Sequence, residues 1–200
     1  MPVRRLADQI LEHSQRLPEG TLLTAATLLH LGERGAVNKA LSHLARRGDL
    51  LRAWRGLYMR SIPTRFGPRT PTVESVVASL AELWGETIAT HGAVSANRLG
   101  FTTQVPVRAI YLTSGPSRML RLGNQSLELR HAPLWQFVLA GGLTGEIIRA
   151  LAWLGPSESA RLFPFLSARL SPVDREALVE AAPLLPAWLA QLISGSLAII

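Results

Sequence analysis

Asn38, Lys39, Ser42, His43 and Arg46 recur every three or four residues in the stretch "RGAVNKALSHLARRGDLLRAWRGLYMR", residues 34 to 60. Val37, Ala40, Leu41 and Leu44 alternate with them at the same spacing, so a helix over Arg34 to Arg47 would carry one apolar stripe and one polar face. The side chains on that polar face are the types that read nucleic acid. Asn pairs bidentately with adenine and Arg with guanine, and Ser and His take several roles at base edges. A helix also has the diameter of a DNA major groove. Arg34 at the start of the run adds a cation suited to a phosphate.

The same chemistry continues past the helix. Gly48 is placed to end it, and Leu50 to Ala53 and Leu57 to Arg60 read as two short strands around Trp54-Arg55-Gly56. Arg52, Arg55 and Arg60 lie on or beside that hairpin, within reach of phosphates or a minor groove, with Arg55 at the tip. Trp54 and Tyr58 read as packing the hairpin onto the preceding helix, because duplex readers seldom need aromatic platforms.

Charge supports a polyanion partner. The chain carries 21 Lys and Arg against 14 Asp and Glu, a net +7. Residues 1 to 70 hold 12 of these cations and 5 of the acids, which is the whole +7, while residues 71 to 200 hold 9 of each. Such asymmetry suggests a basic nucleic-acid module joined to a neutral one. There is no cysteine, which removes disulfides, thiolate zinc sites and thiol nucleophiles and suits a reducing cytoplasm. The N-terminal "MPVRRLADQILEHSQRL" is too charged for a signal peptide. The C-terminal "LLPAWLAQLISGSLAII" is too interrupted to span a bilayer and reads as a buried or partner-facing helix. A cytoplasmic protein with no membrane partner is expected.

The elements that would position these residues follow from periodicity and turn chemistry. A first helix runs from Val3 to about Leu17, and a short second one from an N-cap at Thr24 to about His30; a turn at Leu31-Gly32-Glu33 then leads into the helix at Arg34. Followed by the hairpin, this is the order of a winged helix-turn-helix, placed at residues 1–65. The proline-rich "IPTRFGPRTPT", residues 62 to 72, reads as a linker. Residues 71–200 are expected to form an α+β domain. It has a helix over Val73 to Trp84, a short helix closed by Gly100, an antiparallel three-stranded meander from Val107 to Ala132, and helices from Leu134 onward. Arg118 and Arg121 fall on the meander's hairpin. If Met119, Leu120 and Leu122 supply the packing, both are exposed and suited to an acidic or phosphorylated protein surface.

Catalytic patterns are not found. "GGLTGE", residues 141 to 146, lacks the lysine and spacing of a phosphate-binding loop, and "TSGPSR" lacks nucleophile-elbow spacing. His13, His30, His43, His91 and His131 show no metal-ligand spacing, although His91 and His131 bracket the sheet region and could meet in space. No enzyme activity, cofactor or metal is expected.

The run "LHLGERGAVNKALSHLARRGDLLRAWRGLYMR" resembles the N-terminal winged helix-turn-helix of the AbiEi-like antitoxins of bacterial type IV toxin-antitoxin systems. Val37, Ala40, Leu41, Leu44, Arg47, Gly48, Arg55, Gly56 and Tyr58 match that pattern as they stand. The stretch "HGAVSANRLGFTTQVPVRAIYLTSGPSRMLRLGNQSLELRHAP" is similar to the family's C-terminal antitoxin domain, and the resemblance covers about residues 1 to 155. It implies a repressor that binds double-stranded operator DNA in its own operon and counteracts a nucleotidyltransferase-like toxin, a neutralisation that need not require a stable complex with it. Two alternatives stay open: a standalone winged-helix regulator with a ligand-sensing C-terminal domain, and an enzyme that modifies a partner.

Overall fold

The computed structural model describes residues 5–104 and 108–197. Val3, Val107 and Ala198 to Ile200, which begin or end elements expected above, lie outside the described residues. The fold is α+β, with seven α-helices and small antiparallel and mixed sheets among the described residues. The chain divides into two compact units. One is the chain up to Glu86 with Arg118–Glu128; the other is Thr87–Ser117 with the chain from Leu129 onward.

In the first unit, α1 (Leu6–Arg16) ends where Pro18 forces Leu17 into extended backbone, φ −83° and ψ 151°. Leu23 then pairs antiparallel with Tyr58, its N–H donating to the Tyr58 carbonyl at 2.7 Å. The helix expected from Thr24 is instead a run of turns reaching Leu31. Thr24 and Thr27 close its start by exchanging hydrogen bonds, each backbone N–H donating to the other's hydroxyl at 3.1 Å. Ala25 and Leu28 are buried without a regular helix.

Next come α2 (Arg34–Arg47), closed by Gly48 at φ 84°, and the antiparallel strands β1 (Leu50–Trp54) and β2 (Leu57–Arg60). Gly56 turns the hairpin at φ 76°. Ile10, Leu23, Leu28, Val37, Leu41, Leu44, Leu50 and Tyr58 form the core beneath.

The stretch expected to be a linker is held down. Ile62 pairs with Arg69, and Glu19 receives both Arg69 guanidinium nitrogens at 2.7 and 2.8 Å and the Thr72 N–H at 2.8 Å. This clamp leads directly into α3 (Val73–Trp84), capped by the Thr72 hydroxyl and closed by Gly85. The unit therefore continues past residue 65, and the boundary drawn at residues 65 to 71 falls inside it. It is completed by β5 (Arg118–Leu122) and the start of β6 (Gln125–His131), with β5 running beside β1.

In the second unit, β3 (Ile88–Thr90) pairs antiparallel with β4 (Ala109–Thr113). The expected meander is not formed: β6, whose end from Leu129 belongs to this unit, and not β5, is the neighbour of β4. Ala132, just past β6, donates its N–H to the Thr113 carbonyl at 3.0 Å. α4 (Gly92–Arg98) lies against α5 (Gly142–Ser167) so closely that a Cβ on Gly92 would overlap the Arg149 carbonyl and the Trp153 side chain.

Gly155, at φ 77° and ψ 173°, breaks α5, and Pro156 opens its second segment. α6 (Pro172–Ala181) and α7 (Ala187–Leu197) close a core of Ile147, Ile148, Leu151, Phe163, Leu178, Leu189 and Ile193. The C-terminal apolar stretch is thus buried through Leu189 and Ile193. No helix of the described residues is long and apolar enough to cross a membrane.

The Glu19 clamp gives the first unit an acid-sensitive contact. The Arg69 hydrogen bonds, followed by the Thr72 N–H and the charges of Arg69 and Arg60, hold the Glu19 carboxyl at about 2 against an ordinary 4.5. Its folded value lies below the unfolded one, so the clamp's contribution is complete above pH 4.5 and is lost as pH falls toward 2. Glu19→Gln should unfold at lower temperature than the parent chain at neutral pH, and the gap should narrow across that window. A gap independent of pH would show that the carboxylate charge contributes nothing.

Candidate nucleic-acid interface

The apolar stripe of α2 is fully buried at Val37, Leu41 and Leu44, which fixes the rotation of the helix. Asn38, Lys39, Ser42, His43 and Arg46 therefore lie exposed on the opposite face, with Arg34 at its start. Arg34, Asn38, Lys39, His43 and Arg46 form no hydrogen bond or ion pair with any described residue. Gly35 has open space around it, so that end of the face is unobstructed. Arg47 is drawn aside by Asp49 at 2.9 Å.

Ser42 differs from its neighbours because its hydroxyl is 3.1 Å from the Tyr58 hydroxyl. Tyr58 is buried, and its backbone pairs with Leu23 as well as with Arg52 of β1. One residue thus joins α2, the Leu23 bridge and the hairpin. Tyr58 does pack the hairpin onto α2. Trp54 does not: it lies on β1 rather than in the turn, and meets Trp84 of α3 edge-on, with ring centres 6.0 Å apart.

The three hairpin arginines separate. Arg55 is exposed at the tip and makes no hydrogen bond or ion pair with a described residue. Arg52 is exposed, its Nε donating to the Trp54 carbonyl at a long 3.4 Å. Arg60 lies at the far end of β2 and donates to the Leu17 carbonyl at 3.3 Å, a bond that ties β2 to the end of α1. It is a structural arginine rather than one aimed outward.

Arg118 and Arg121 are not a pair. Side chains three apart on a strand point to opposite faces, so they cannot share one. Arg118 lies with buried Leu120 and Leu122, forks onto Glu86 with two contacts of 2.7 Å and covers the Trp84 ring at 4.0 Å. Its side chain is only 14% exposed. Arg121 is exposed beside Met119, which is 54% exposed and supplies none of the expected packing. The Trp54, Trp84, Arg118 and Glu86 cluster had no local signal, because it joins residues up to 64 positions apart. His91 and His131 both line one cleft in the second unit, His91 bonded to Ala93 and His131 to Gly115. Among the described residues, no group of three or more His, Asp or Glu could hold a metal ion.

The family model described as a family of unknown function, DUF6088, matches residues 9–161, well over half of the sequence. The chain belongs to that family. A solved structure, that of the RV2827C protein from Mycobacterium tuberculosis, is similar to the DUF6088 chain at a TM-score of 0.54 and 16% identity. The match covers 98% of this chain and 77% of that one, a likeness of fold alone. No curated protein matches.

The hydroxyl pair makes a measurable prediction. Ser42→Ala and Tyr58→Phe should each destabilise the chain, and a double-mutant cycle in urea should return a coupling of about 1 kcal/mol. Strictly additive effects would mean that the bond contributes nothing in solution.

Proposed function

We propose that the first unit contains a winged helix-turn-helix that binds duplex DNA, with α2 in the major groove and the β1–β2 hairpin as the wing. The observation that carries this reading is the bare polar face of α2. Five side chains able to bond bases or phosphates stand together without internal partners, on a helix whose rotation the core fixes. The element order supports it: α1, the single bridge at Leu23, a run of turns, α2, then a hairpin that pairs back to Leu23. The charge excess lies in the same stretch. Asn38, Lys39, His43 and Arg46 are the base- and groove-facing set, Arg34, Arg52 and Arg55 hold phosphates, and Ser42 acts jointly with Tyr58.

With the resemblance described above, the proposal extends to an antitoxin of the AbiEi kind. Such a protein represses its own operon and counteracts a nucleotidyltransferase-like toxin without needing a stable complex. Arg121 remains available on the exposed side of β5 for a protein partner. A standalone regulator is the second reading, favoured by the cleft in the second unit, where a small molecule could be sensed.

Binding of the full chain to DNA from upstream of its own gene should weaken linearly in log affinity against log salt. The slope should be roughly 0.9 per phosphate neutralised. Asn38→Ala should cost about 1–3 kcal/mol on that DNA and little on random sequence, whereas Arg55→Ala should weaken both alike. Fluorescence anisotropy at several salt concentrations separates the two. Equal losses on both DNAs for Asn38→Ala would remove α2 from base reading, and binding without salt dependence would remove the DNA reading altogether.

A further inference from the structure

His13 of α1 and His30, in the run of turns before α2, lie with ring centres 5.0 Å apart and ring planes inclined at 61°. They come from separate elements, so no local spacing in the sequence announces them. Neither ring makes a hydrogen bond or ion pair with any described residue. Each neutral imidazole therefore keeps a nitrogen lone pair for a ligand. His13 is half-buried and His30 is exposed, so the pair can be reached from solvent.

The backbones that carry the two rings are held by the core. Ile10, one turn before His13, and Leu28, two residues before His30, have no exposed surface. The Leu31 N–H donates to the Leu28 carbonyl at 3.0 Å and closes the turn that contains His30. Leu6 of α1 also reaches this turn, since a Cβ on Gly32 would lie 3.4 Å from each of its two methyl carbons. Packing on both sides of the pair thus sets how far apart the rings stand. The nearby cation does not oppose a second positive charge, because Arg16, three residues after His13, is drawn onto Glu12 at 2.6 Å.

That separation has a chemical meaning. Two imidazoles that each give one nitrogen to a tetrahedral ion at about 2.0–2.1 Å have ring centres about 5 Å apart. Neutral imidazole suits Zn²⁺, Ni²⁺ and Cu²⁺, whereas Mg²⁺ and Ca²⁺ take oxygen ligands. No third His, Asp or Glu joins the pair among the described residues, so water would complete the coordination. A site with two protein ligands exchanges its ion more readily than a closed structural site with four.

We infer that His13 and His30 together bind one divalent transition-metal ion, of which Zn²⁺ is the representative, and that the ion ties α1 to the turns leading into α2. The competing reading is a ring-to-ring packing contact with no ligand. The inference does not rest on DNA binding: no residue of the α2 polar face takes part, and its test contains no DNA.

Calorimetric titration of the untagged full chain at pH 7 with Zn²⁺, and separately with Mg²⁺, tests it. Zn²⁺ should bind one per chain with a dissociation constant below about 0.1 mM, and Mg²⁺ should not bind. His13→Ala and His30→Ala should each weaken Zn²⁺ at least about tenfold. Because His30 is exposed, His30→Ala should melt like the parent chain in EDTA; added Zn²⁺ should then raise the melting temperature of the parent and not of the variant. In the parent, the ring resonances of His13 and His30 should shift with Zn²⁺ while those of His91 and His131 stay in place. The inference is overturned if Zn²⁺ does not bind saturably, if binding survives both substitutions, or if the shifts fall on other histidines.

Discussion

Burial of Val37, Leu41 and Leu44 is the constraint on which the first unit turns. Three side chains with no exposed surface, at spacings of four and three, leave α2 a single rotation about its axis. Everything on the far side of the helix follows from that. Asn38, Lys39, His43 and Arg46 stand in solvent because the core has taken their neighbours, and Ser42 reaches Tyr58 because it lies at the edge between the two faces. A shift of one residue toward the C-terminus would bury Asn38 and Ser42 and expose Val37, Leu41 and Leu44, at a cost in desolvation and lost apolar burial.

The hairpin is fixed by a different means. Tyr58 meets Leu23 through its backbone and α2 through its hydroxyl, while Trp54 and Arg118 gather on Trp84. The hairpin is therefore braced close to its turn, and Arg55 at the tip is left as an outward cation. The Glu86 and Arg118 pair, nearly enclosed, stands beside an aromatic ring rather than in water, where a forked guanidinium–carboxylate contact is stronger than an exposed pair. The hairpin that supplies Arg118 comes from a later part of the chain, so the unit is not a contiguous N-terminal segment.

What was legible in the sequence was whatever repeats locally. The face of α2, its stop at Gly48, the turn at Gly56 and the span of α3 all follow from residues within a turn or two of each other. What was not legible depends on distant partners. Thr24 to His30 has the composition of a helix, but it forms turns whose Ala25 and Leu28 are held in the core. The loop at residues 62–72 has the prolines of a linker, yet Glu19, 50 positions before Arg69, secures it. Alternation in β4, β5 and β6 identified strands without their order, and counting three residues from Arg118 to Arg121 was enough to separate them onto two faces once β5 was known to be straight. The cleft on the second unit was visible only as two histidines that bracket a sheet.

The most direct measurement of the central claim is amide and side-chain chemical-shift mapping of the full chain as its own upstream DNA is added. The Asn38 side-chain amide, the His43 ring and the backbone from Arg34 to Arg47 and around Arg55 should shift together, while the amides around Arg60, Arg118 and the second unit stay in place. Shifts confined to the second unit, with α2 silent, would contradict the account.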